Sequence, residues 1–553
     1  MIASALCNLA YRRFVAACRH PLRAQAARLR RIVTGAAATE FGRRHGFAKL
    51  ATIGDPAALI TAYQQRVPLR TYAEMRSDLD AVYAGRWQTL CPSPPLWFAM
   101  TAGSTGRFKY VPVTAEYRRE VGRSSLIFNG ALEARHPELR RLKTQFLVGS
   151  AEGGRSPAGV PQGFASGFNY KHLPWFVRRR FVVPYPVFTL DDAEERGYAA
   201  GRILMADPRL GVLCAISPVN LINLRQALDR NAERLLADVA AGTLTVRGTP
   251  PVPLAWRGRP DPARAAALGA AWRASGTLPP RQLFPALRVL VCWQGGNMGY
   301  YLDALRAAFD IDQLFEFPIS ASEGVFAVPL RANQAGGALA VTTHFLEFLP
   351  ENGSGAAALR ADQLEAGREY RIVVTNAGGL YRYDMEDIVR VTGRFHATPV
   401  IEFVSKKDRQ ISVSNERLTE LDVTLAMRET ARRCGRWFPE FLFVPCSDRR
   451  YRVLVDGAGC DDAEPTRREA GLRALAAELE RQLRRAAKGY DFEREDALLE
   501  PLQLVVTARG ELREYLARRG PDGGLPNAQV KPMHLTNQFD AHGAFTVLTT
   551  YAA

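Results

Sequence analysis

A run of small hydroxyl residues and glycines ends in a lysine at residues 101–109, TAGSTGRFK. Hydroxyl groups and the N–H groups of a glycine-rich turn can hold phosphate oxygens, and the lysine adds a mobile positive charge. The run joins two β-prone segments, so it is expected to form a hairpin and not the P-loop that opens a helix. A plain glycine-rich hairpin turn is the alternative. The residues that would face a phosphate chain are Thr101, Gly103, Ser104, Thr105, Gly106 and Lys109.

Two acidic segments farther along the chain could complete a nucleotide site. ISASEG, residues 319–324, places Ser322 and Glu323 after a strand, where a carboxylate could ligate Mg²⁺ on phosphate oxygens. The same letters also fit a helix N-cap followed by an acid in the first turn. YRYDMED, residues 381–387, places Asp387 beside a strand, where its carboxylate could accept two ribose hydroxyls. An exposed turn is the alternative for this segment.

Lysine is scarce in the chain, which has 73 basic residues but only eight lysines. Lys109, Lys406, Lys407 and Lys531 make up half of these lysines, and all four lie in the candidate site segments. In a chain that otherwise uses arginine, a lysine indicates a need for a compact ammonium group.

Length and charge limit the class of protein. With 553 residues the chain is expected to form two or more domains. Its formal charge is +17, but no basic run interleaved with aromatics is present, so nucleic acid is not expected as a partner. A solvated basic surface is the simpler interpretation, and weak attraction to anionic membranes or substrates is the alternative.

Cysteine spacing and the N-terminus bear on location. The eight cysteines are scattered, without a CxxC pair or a Cys/His cluster of zinc spacing, which favours a reducing cytoplasm. The first 20 residues do not resemble a secretory signal. They are expected to form an amphipathic helix that packs on the body, with peripheral membrane contact as the alternative. No apolar run approaches the length of a transmembrane helix.

The predicted helices and strands around these motifs fall into three successive regions of the chain. Residues 1–90 favour helices, and Thr114 is expected to cap a helix that runs to about residue 133. From residue 287 several strands end in loops rich in glycine, serine or acids, which is where ligands often bind. Near residues 405–410 the strand-rich pattern gives way to alternating helices and strands. A domain boundary is placed there, and a small α/β domain is predicted after it.

Taken in order, these segments resemble the acyl-adenylate-forming superfamily, and within it the GH3 family of acyl acid–amido synthetases. TAGSTGRFK resembles the superfamily's phosphate loop, ISASEG its second ATP motif and YRYDMEDIVRV its third. The likeness extends to ATEFGRRHGF, VPLRTYAEMRSDLD, GREYRIVVTNAGGLYRY and FVSKKDRQISVSNERLTE, and it is weakest in residues 135–285.

The resemblance implies an α/β (α+β) adenylating-enzyme fold. A large N-terminal domain, residues 1–405, would combine a β-barrel and sheets flanked by helices. A small mobile C-terminal domain, residues 406–553, would close over it. ATP and a carboxylic acid would bind between the two, and a cytoplasmic monomer is the family-like expectation.

Individual roles follow from the same resemblance. Ser104 and Thr105 would bind phosphates beside Lys109. Glu323 would hold Mg²⁺, and Asp387 would hold the ribose.

Other family positions lie around this core. Gly295 and Gly296 would line the nucleotide and acyl pocket, and Lys406 and Asp408 fall at the interdomain hinge. Lys531, in QVKPMH, would stabilise charge on the acyl phosphate.

The implied reaction is activation of a carboxylic acid as acyl-AMP and its conjugation to the amine of an amino acid. One alternative is a thiol acceptor, coenzyme A or a carrier protein. Another is a degenerate, non-catalytic member that binds membranes or partners. This last hypothesis rests on Ile319 in place of an aromatic, Asp384 in place of a residue that is often basic, and Glu386 in place of glycine; His534 also replaces an arginine.

No motif in the sequence identifies which carboxylic acid is the substrate. Aromatic residues in the least family-like part of the chain could line an acyl pocket, although a stripe of aromatics is more often ordinary core. These residues are Phe164, Phe168, Tyr170, Trp175 and Phe176.

Overall fold

The computed structural model describes residues 2–102, 108–247, 256–351, 357–407, 410–460, 465–519 and 532–553. Within these ranges no helix combines the length and the apolar character needed to cross a bilayer. The helices are α1 Ile2–Ala17, α2 Pro21–Gly35, α3 Glu40–Arg44, α4 Phe47–Ala51, α5 Pro56–Arg66, α6 Tyr72–Tyr83, α7 Ala115–Arg135, α8 Ala165–Lys171, α9 Trp175–Arg178, α10 Ala193–Met205, α11 Pro218–Arg230, α12 Ala232–Ala241, α13 Pro262–Ser275, α14 Pro280–Leu283, α15 Leu302–Phe309, α16 Glu420–Cys434, α17 Pro465–Ala486, α18 Lys488–Glu495 and α19 Glu511–Arg519.

The strands form several sheets. They are β1 Trp97–Ala102, β2 Phe108–Val113, β3 Lys143–Phe146, β4 Gln162–Gly163, β5 Leu210–Cys214, β6 Val289–Cys292, β7 Leu314–Glu316, β8 Ile319–Ala321, β9 Gly324–Val328, β10 Gly337–Leu339, β11 Phe345–Pro350, β12 Glu369–Thr375, β13 Tyr383–Phe395, β14 Thr398–Lys406, β15 Gln410–Ile411, β16 Leu418–Thr419, β17 Phe441–Cys446, β18 Arg450–Asp456, β19 Gln503–Thr507 and β20 Val547–Ala552.

The helical start of the chain and the helix after the hairpin are confirmed. The Thr114 hydroxyl accepts a hydrogen bond from the Tyr117 N–H at 3.2 Å and so caps α7, as predicted. Helix α1 packs directly on α7, because a Cβ atom at Gly130 of α7 would lie 2.3 Å from the carbonyl oxygen of Cys7. The expected packing of the first helix on the body is therefore confirmed.

Two sheets frame the predicted motifs. An antiparallel sheet in the order β11-β12-β13-β14-β10-β9-β8 carries the second and third motifs. A parallel sheet in the order β3-β5-β6-β7 has helices in its crossovers, which is the arrangement that parallel strands require. Strands β2-β1-β4 form a third sheet around the first motif. The predicted α/β class is thus confirmed.

The C-terminal part has its own sheet, in the order β17-β18-β19-β20, with α16 and α17 packed together beside it. Its apolar core is continuous with that of the parallel sheet. Tyr300 and Tyr301 join the two: the Tyr300 hydroxyl donates to the carbonyl oxygen of Phe438 at 2.6 Å, and Tyr301 contacts His534. Apolar packing therefore connects the small C-terminal domain to the larger one.

Candidate active site

The first motif lies on the β1–β2 hairpin, as predicted. Thr101 and Lys109 are directly opposite each other across the two strands. The Lys109 ammonium lies 5.1 Å from the centre of the Tyr72 ring, and the Tyr72 hydroxyl accepts a hydrogen bond from the Tyr110 N–H at 3.1 Å. Helix α6 therefore supports the strand that carries this lysine. Gly103, Ser104, Thr105 and Gly106 lie outside the described residues.

The second motif forms a hairpin turn between β8 and β9, so the helix N-cap interpretation was wrong. Strand pairing decides the conformation, since Ile319 pairs with Ala327 across the turn. Two neighbouring elements hold the turn by its backbone. The Tyr117 hydroxyl donates to the carbonyl oxygen of Ser322 at 2.6 Å, and the Asn376 amide donates to that of Glu323 at 2.7 Å.

Glu323 is a buried carboxylate among charged groups. Burial raises the pKa of Glu323; Lys406 opposes this shift, Asp387 adds to it and Lys109 opposes it. Lys406, Asp387 and Lys109 thus all act on the Glu323 carboxylate, and Lys406 itself lies 2.5 Å from Asp387. The structure thus brings together charged residues from all three predicted motif regions.

The third motif is a strand interior, so the exposed-turn interpretation was wrong. Asp387 on β13 pairs in register with Lys406 on β14, and its Oδ1 atom lies 2.5 Å from the lysine Nζ atom. The Asp387 side chain is 11% exposed and that of Lys406 is 42% exposed. Lys406, predicted as a hinge residue, therefore ends β14, the strand that pairs with the one carrying the candidate ribose-binding carboxylate.

Two acidic residues of the third motif have different surroundings. Asp384 is buried and lies 3.1 Å from the guanidinium of Arg371, which offsets its charge. Glu386 has a φ of +59°, in the left-handed region that favours glycine. The backbone at this position therefore has the conformation for which the family's glycine is suited, and Glu386 adopts it at some cost.

Gly295 and Gly296 pack against strand β14. A Cβ atom at Gly295 would lie 3.2 Å from the carbonyl oxygen of Phe403, and one at Gly296 would lie 3.3 Å from that of Val404. Gly296 also has a φ of +58°. These glycines let their loop approach the strand that leads to Lys406, so they belong to the same region as the charged cluster.

Three tyrosines at this site were not predicted from the sequence. Tyr72 and Tyr117 come from helices α6 and α7, and Tyr383 begins β13. Burial raises the pKa of Tyr383 well above its usual value, and the carboxylates of Glu323 and Asp387 add to the shift. Side chains alternate between the two faces of a strand, so the sequence is compatible with Tyr383 and Asp387 on one face of β13. Only the fold shows that Tyr72 and Tyr117 reach the site from helices.

The proposed aromatic pocket is divided between core and surface. Phe168 stacks on Trp97 with ring centres 4.5 Å apart. Tyr170 is buried and donates to the carbonyl oxygen of Val183 at 2.6 Å, so both residues are core, as the commoner interpretation expected. Trp175 is exposed and Phe164 is half-buried. The side chain of Phe176 is not among those described.

The late-chain motif is described only in part. Lys531 and Asp408 lie outside the described residues. His534, which follows Lys531 by three positions, is buried and stacks on Phe441 with ring centres 4.1 Å apart. One of its ring nitrogens lies 2.9 Å from the Tyr301 hydroxyl. His534 thus serves a structural role at the contact between the two domains.

Comparisons with known proteins agree over most of the chain. The GH3 family N-terminal domain matches residues 10–314, and the GH3 family central domain matches residues 337–406. An indole-3-acetic acid-amido synthetase, GH3.8 of Oryza sativa subsp. indica, is 25% identical over 527 residues, covering 87% of this chain and 84% of the relative. The probable indole-3-acetic acid-amido synthetase GH3.4 of Oryza sativa subsp. japonica is 26% identical over 424 residues, covering 69% and 65%.

The fold is also found among solved structures. The AtGH3.15 acyl acid amido synthetase in complex with 2,4-DB superposes with a TM-score of 0.81 at 19% identity, covering 98% of this chain and 96% of that one. Because the superposition includes the C-terminal part, it confirms the predicted architecture of a large N-terminal domain followed by a C-terminal domain.

Proposed function

The chain belongs to the GH3 family, and on this basis we propose that it is an AMP-forming ligase that joins a carboxylic acid to the amine of an amino acid. A carboxylate is a poor electrophile and must first be activated. One carboxylate oxygen attacks the α-phosphorus of ATP, and pyrophosphate leaves. The amine nitrogen then attacks the acyl carbon of the adenylate, AMP leaves, an amide forms and the amine releases a proton.

The observation that carries this proposal is the charged cluster of Glu323, Asp387, Lys406 and Lys109, in which the last three act on the buried Glu323 carboxylate and Lys406 pairs with Asp387. Adenylation needs positive charge beside phosphate oxygens and a polar grip on the ribose. Lys109 at the start of β2 would neutralise phosphate charge, and Asp387 would accept the ribose hydroxyls. Lys531 would act on the acyl phosphate, and the hydroxyls of Ser104 and Thr105 on the phosphate chain.

The donor at Glu323 suits Mg²⁺. This carboxylate is buried, and its pKa is raised, so ionisation there is unfavourable without a nearby cation. Carboxylate oxygens are the usual protein ligands of Mg²⁺, and Asp387 adds a second carboxylate to the charged cluster. When bound, Mg²⁺ would neutralise charge on phosphate oxygens. We place the enzyme in the cytoplasm, which suits eight cysteines that form no disulfide within the described residues.

Product analysis tests the proposal. The purified protein is given ATP, Mg²⁺, a panel of aryl and fatty acids that includes indole-3-acetate, and either the twenty amino acids or coenzyme A. Mass spectrometry should detect an acyl–amino acid conjugate. An acyl-CoA product alone would support the thiol-acceptor alternative instead.

A pair of variants tests whether the charged cluster is responsible for the reaction. Glu323→Gln should abolish most ATP–pyrophosphate exchange. Glu369→Gln is the matched control, because Glu369 forms an exposed ion pair with Arg390 on the neighbouring strands and should leave exchange unchanged. Absence of exchange with every acid, in a folded protein, would favour the non-catalytic alternative and refute the ligase.

A further inference from the structure

Three potential metal ligands, none of them part of the charged cluster, converge in the C-terminal domain. Cys446, Asp540 and His542 each place one ligand atom within 4.8 Å of the other two. Cys446 lies 94 residues before Asp540, so the cluster is formed by the fold and not by a local motif. No Cys/His motif of zinc spacing is present along the sequence, but folding brings a cysteine and a histidine from distant segments together.

The backbone holds the two segments of this cluster together. Cys446 ends strand β17 and is fully buried. The Asp540 N–H donates to the carbonyl oxygen of Pro445 at 2.9 Å. The Asp540 carboxylate accepts from the Ser447 N–H at 3.2 Å through its Oδ1 atom. Residues on both sides of Cys446 therefore fix the position of the acidic residue.

The spacing of the sulfur and the imidazole fits a tetrahedral metal. The Cys446 Sγ atom lies 3.6 Å from the His542 Nδ1 atom. Bonds of about 2.3 Å from zinc to sulfur and about 2.0–2.1 Å from zinc to nitrogen, at a tetrahedral angle, place these two ligands about 3.6 Å apart. The two ligands would thus need little movement to bind one ion. A weak S–H···N hydrogen bond has a similar length and is the alternative.

The charges around the cluster are compatible with a cation. Thiolate and carboxylate would together offset a divalent ion, and the imidazole is neutral as a ligand. Arg452 interacts with the Cys446 thiol and acts on His542, and it also pairs with Asp448 at 2.7 Å and donates to Gln503 at 2.9 Å. Asp448, which also pairs with Arg450, offsets part of this positive charge before any metal binds.

We propose that Cys446, Asp540 and His542 bind a Zn²⁺-type divalent transition metal, with water as a fourth ligand. A sulfur, nitrogen and oxygen donor set is suited to zinc or cobalt and not to Mg²⁺ or Ca²⁺. On binding, the thiol releases its proton to solvent. The ion fastens residues 540–542 to the end of β17 and so stabilises the last part of the chain.

Cobalt substitution tests the site in the full-length, untagged protein. Reduced protein is incubated with Co²⁺ and dialysed, and the metal content is measured by mass spectrometry. The expected result is one Co²⁺ per chain with a thiolate-to-cobalt charge-transfer band. Cys446→Ser should remove the band, and His542→Gln should weaken or remove it.

Two controls make the outcome specific. Cys434→Ser alters an exposed cysteine outside the cluster and should keep the band. Glu323→Gln should also keep it, so the test does not depend on the proposed ligase activity. Melting curves of the metal-free variants check that each one folds. No charge-transfer band in the wild type, or a band that survives Cys446→Ser, would show that the 3.6 Å contact is only a hydrogen bond.

Discussion

Replacing Asp387 by asparagine removes one negative charge from the charged cluster while keeping the size of the side chain. The carboxylate has two candidate tasks: it can accept ribose hydroxyls, or it can hold Lys406, which lies 2.5 Å away. These tasks predict different losses of nucleotide affinity, so the variant can distinguish them.

The magnitudes separate the two tasks. A hydrogen bond to a charged group contributes about 1.5–3 kcal/mol, which corresponds to a rise in Kd of about 10–150-fold when it is lost. The ion pair itself is worth much less, because the Lys406 side chain is 42% exposed and water screens the charges. Pairs of this kind contribute about 0.2–1 kcal/mol, or at most about fivefold in Kd. We expect the larger loss.

Calorimetric titration with α,β-methylene ATP and Mg²⁺ measures this Kd without knowledge of the acid. Asp387→Asn, Lys406→Met and the double variant are compared with wild type. Glu369→Gln, which removes a carboxylate from the exposed ion pair with Arg390, should leave the Kd unchanged. Melting temperatures confirm that the variants are folded.

The double variant decides how Asp387 acts. If Asp387 contacts the nucleotide, its loss adds to that of Lys406→Met, apart from a coupling of about 0.2–1 kcal/mol. The reasoning is refuted if the double variant binds no worse than Lys406→Met alone, or if Asp387→Asn changes the Kd by less than about fivefold.

Three further outcomes are expected. Glu323→Gln should raise the Tm of the nucleotide-free protein near neutral pH, because it removes a buried charge. This gain in Tm should shrink as the pH falls through the raised pKa of Glu323, since the wild-type side chain then becomes neutral. A gain that is the same at every pH would contradict the raised pKa of Glu323. Burial lowers the pKa of His534 below 6.5, so the unfolded chain takes up a proton first and the free energy of unfolding falls as the pH drops through 6.5. Urea titrations at several pH values should show that His534→Phe lacks this part of the dependence of the unfolding free energy on pH. The same pH dependence in the variant and the wild type would disprove this role of His534. Lys531→Ala should lower kcat for ATP–pyrophosphate exchange about 10²–10³-fold with an unchanged Tm, and an unaltered rate would exclude this lysine from the mechanism.

Local signals in the sequence predicted the elements that depend on local chemistry. The cap at Thr114 marks the start of α7, and the apolar segment Glu369–Thr375, which lies in the strand-rich region predicted from residue 287 onward, forms β12. Both elements are specified by residues within a few positions of each other, through a side-chain cap or an apolar, β-branched run.

The pairing of strands that are distant in the sequence could not be predicted from the sequence. The register that brings Asp387 to Lys406 depends on irregularities in the β13–β14 ladder, and each irregularity shifts which residues face each other. The turn at Ser322 was open to interpretation as a helix start because an N-cap and a hairpin use the same residue types. Only the partner strand decides between them.

The contact of Tyr301 with His534, together with the apolar core that runs through both domains, has a thermodynamic consequence. Two bodies that share one interior lose their packing together, so we expect a single calorimetric transition and not two. A rotation of the small domain would have to slide along this shared interior or expose part of it to water, so the contact of Tyr301 with His534 opposes the movement.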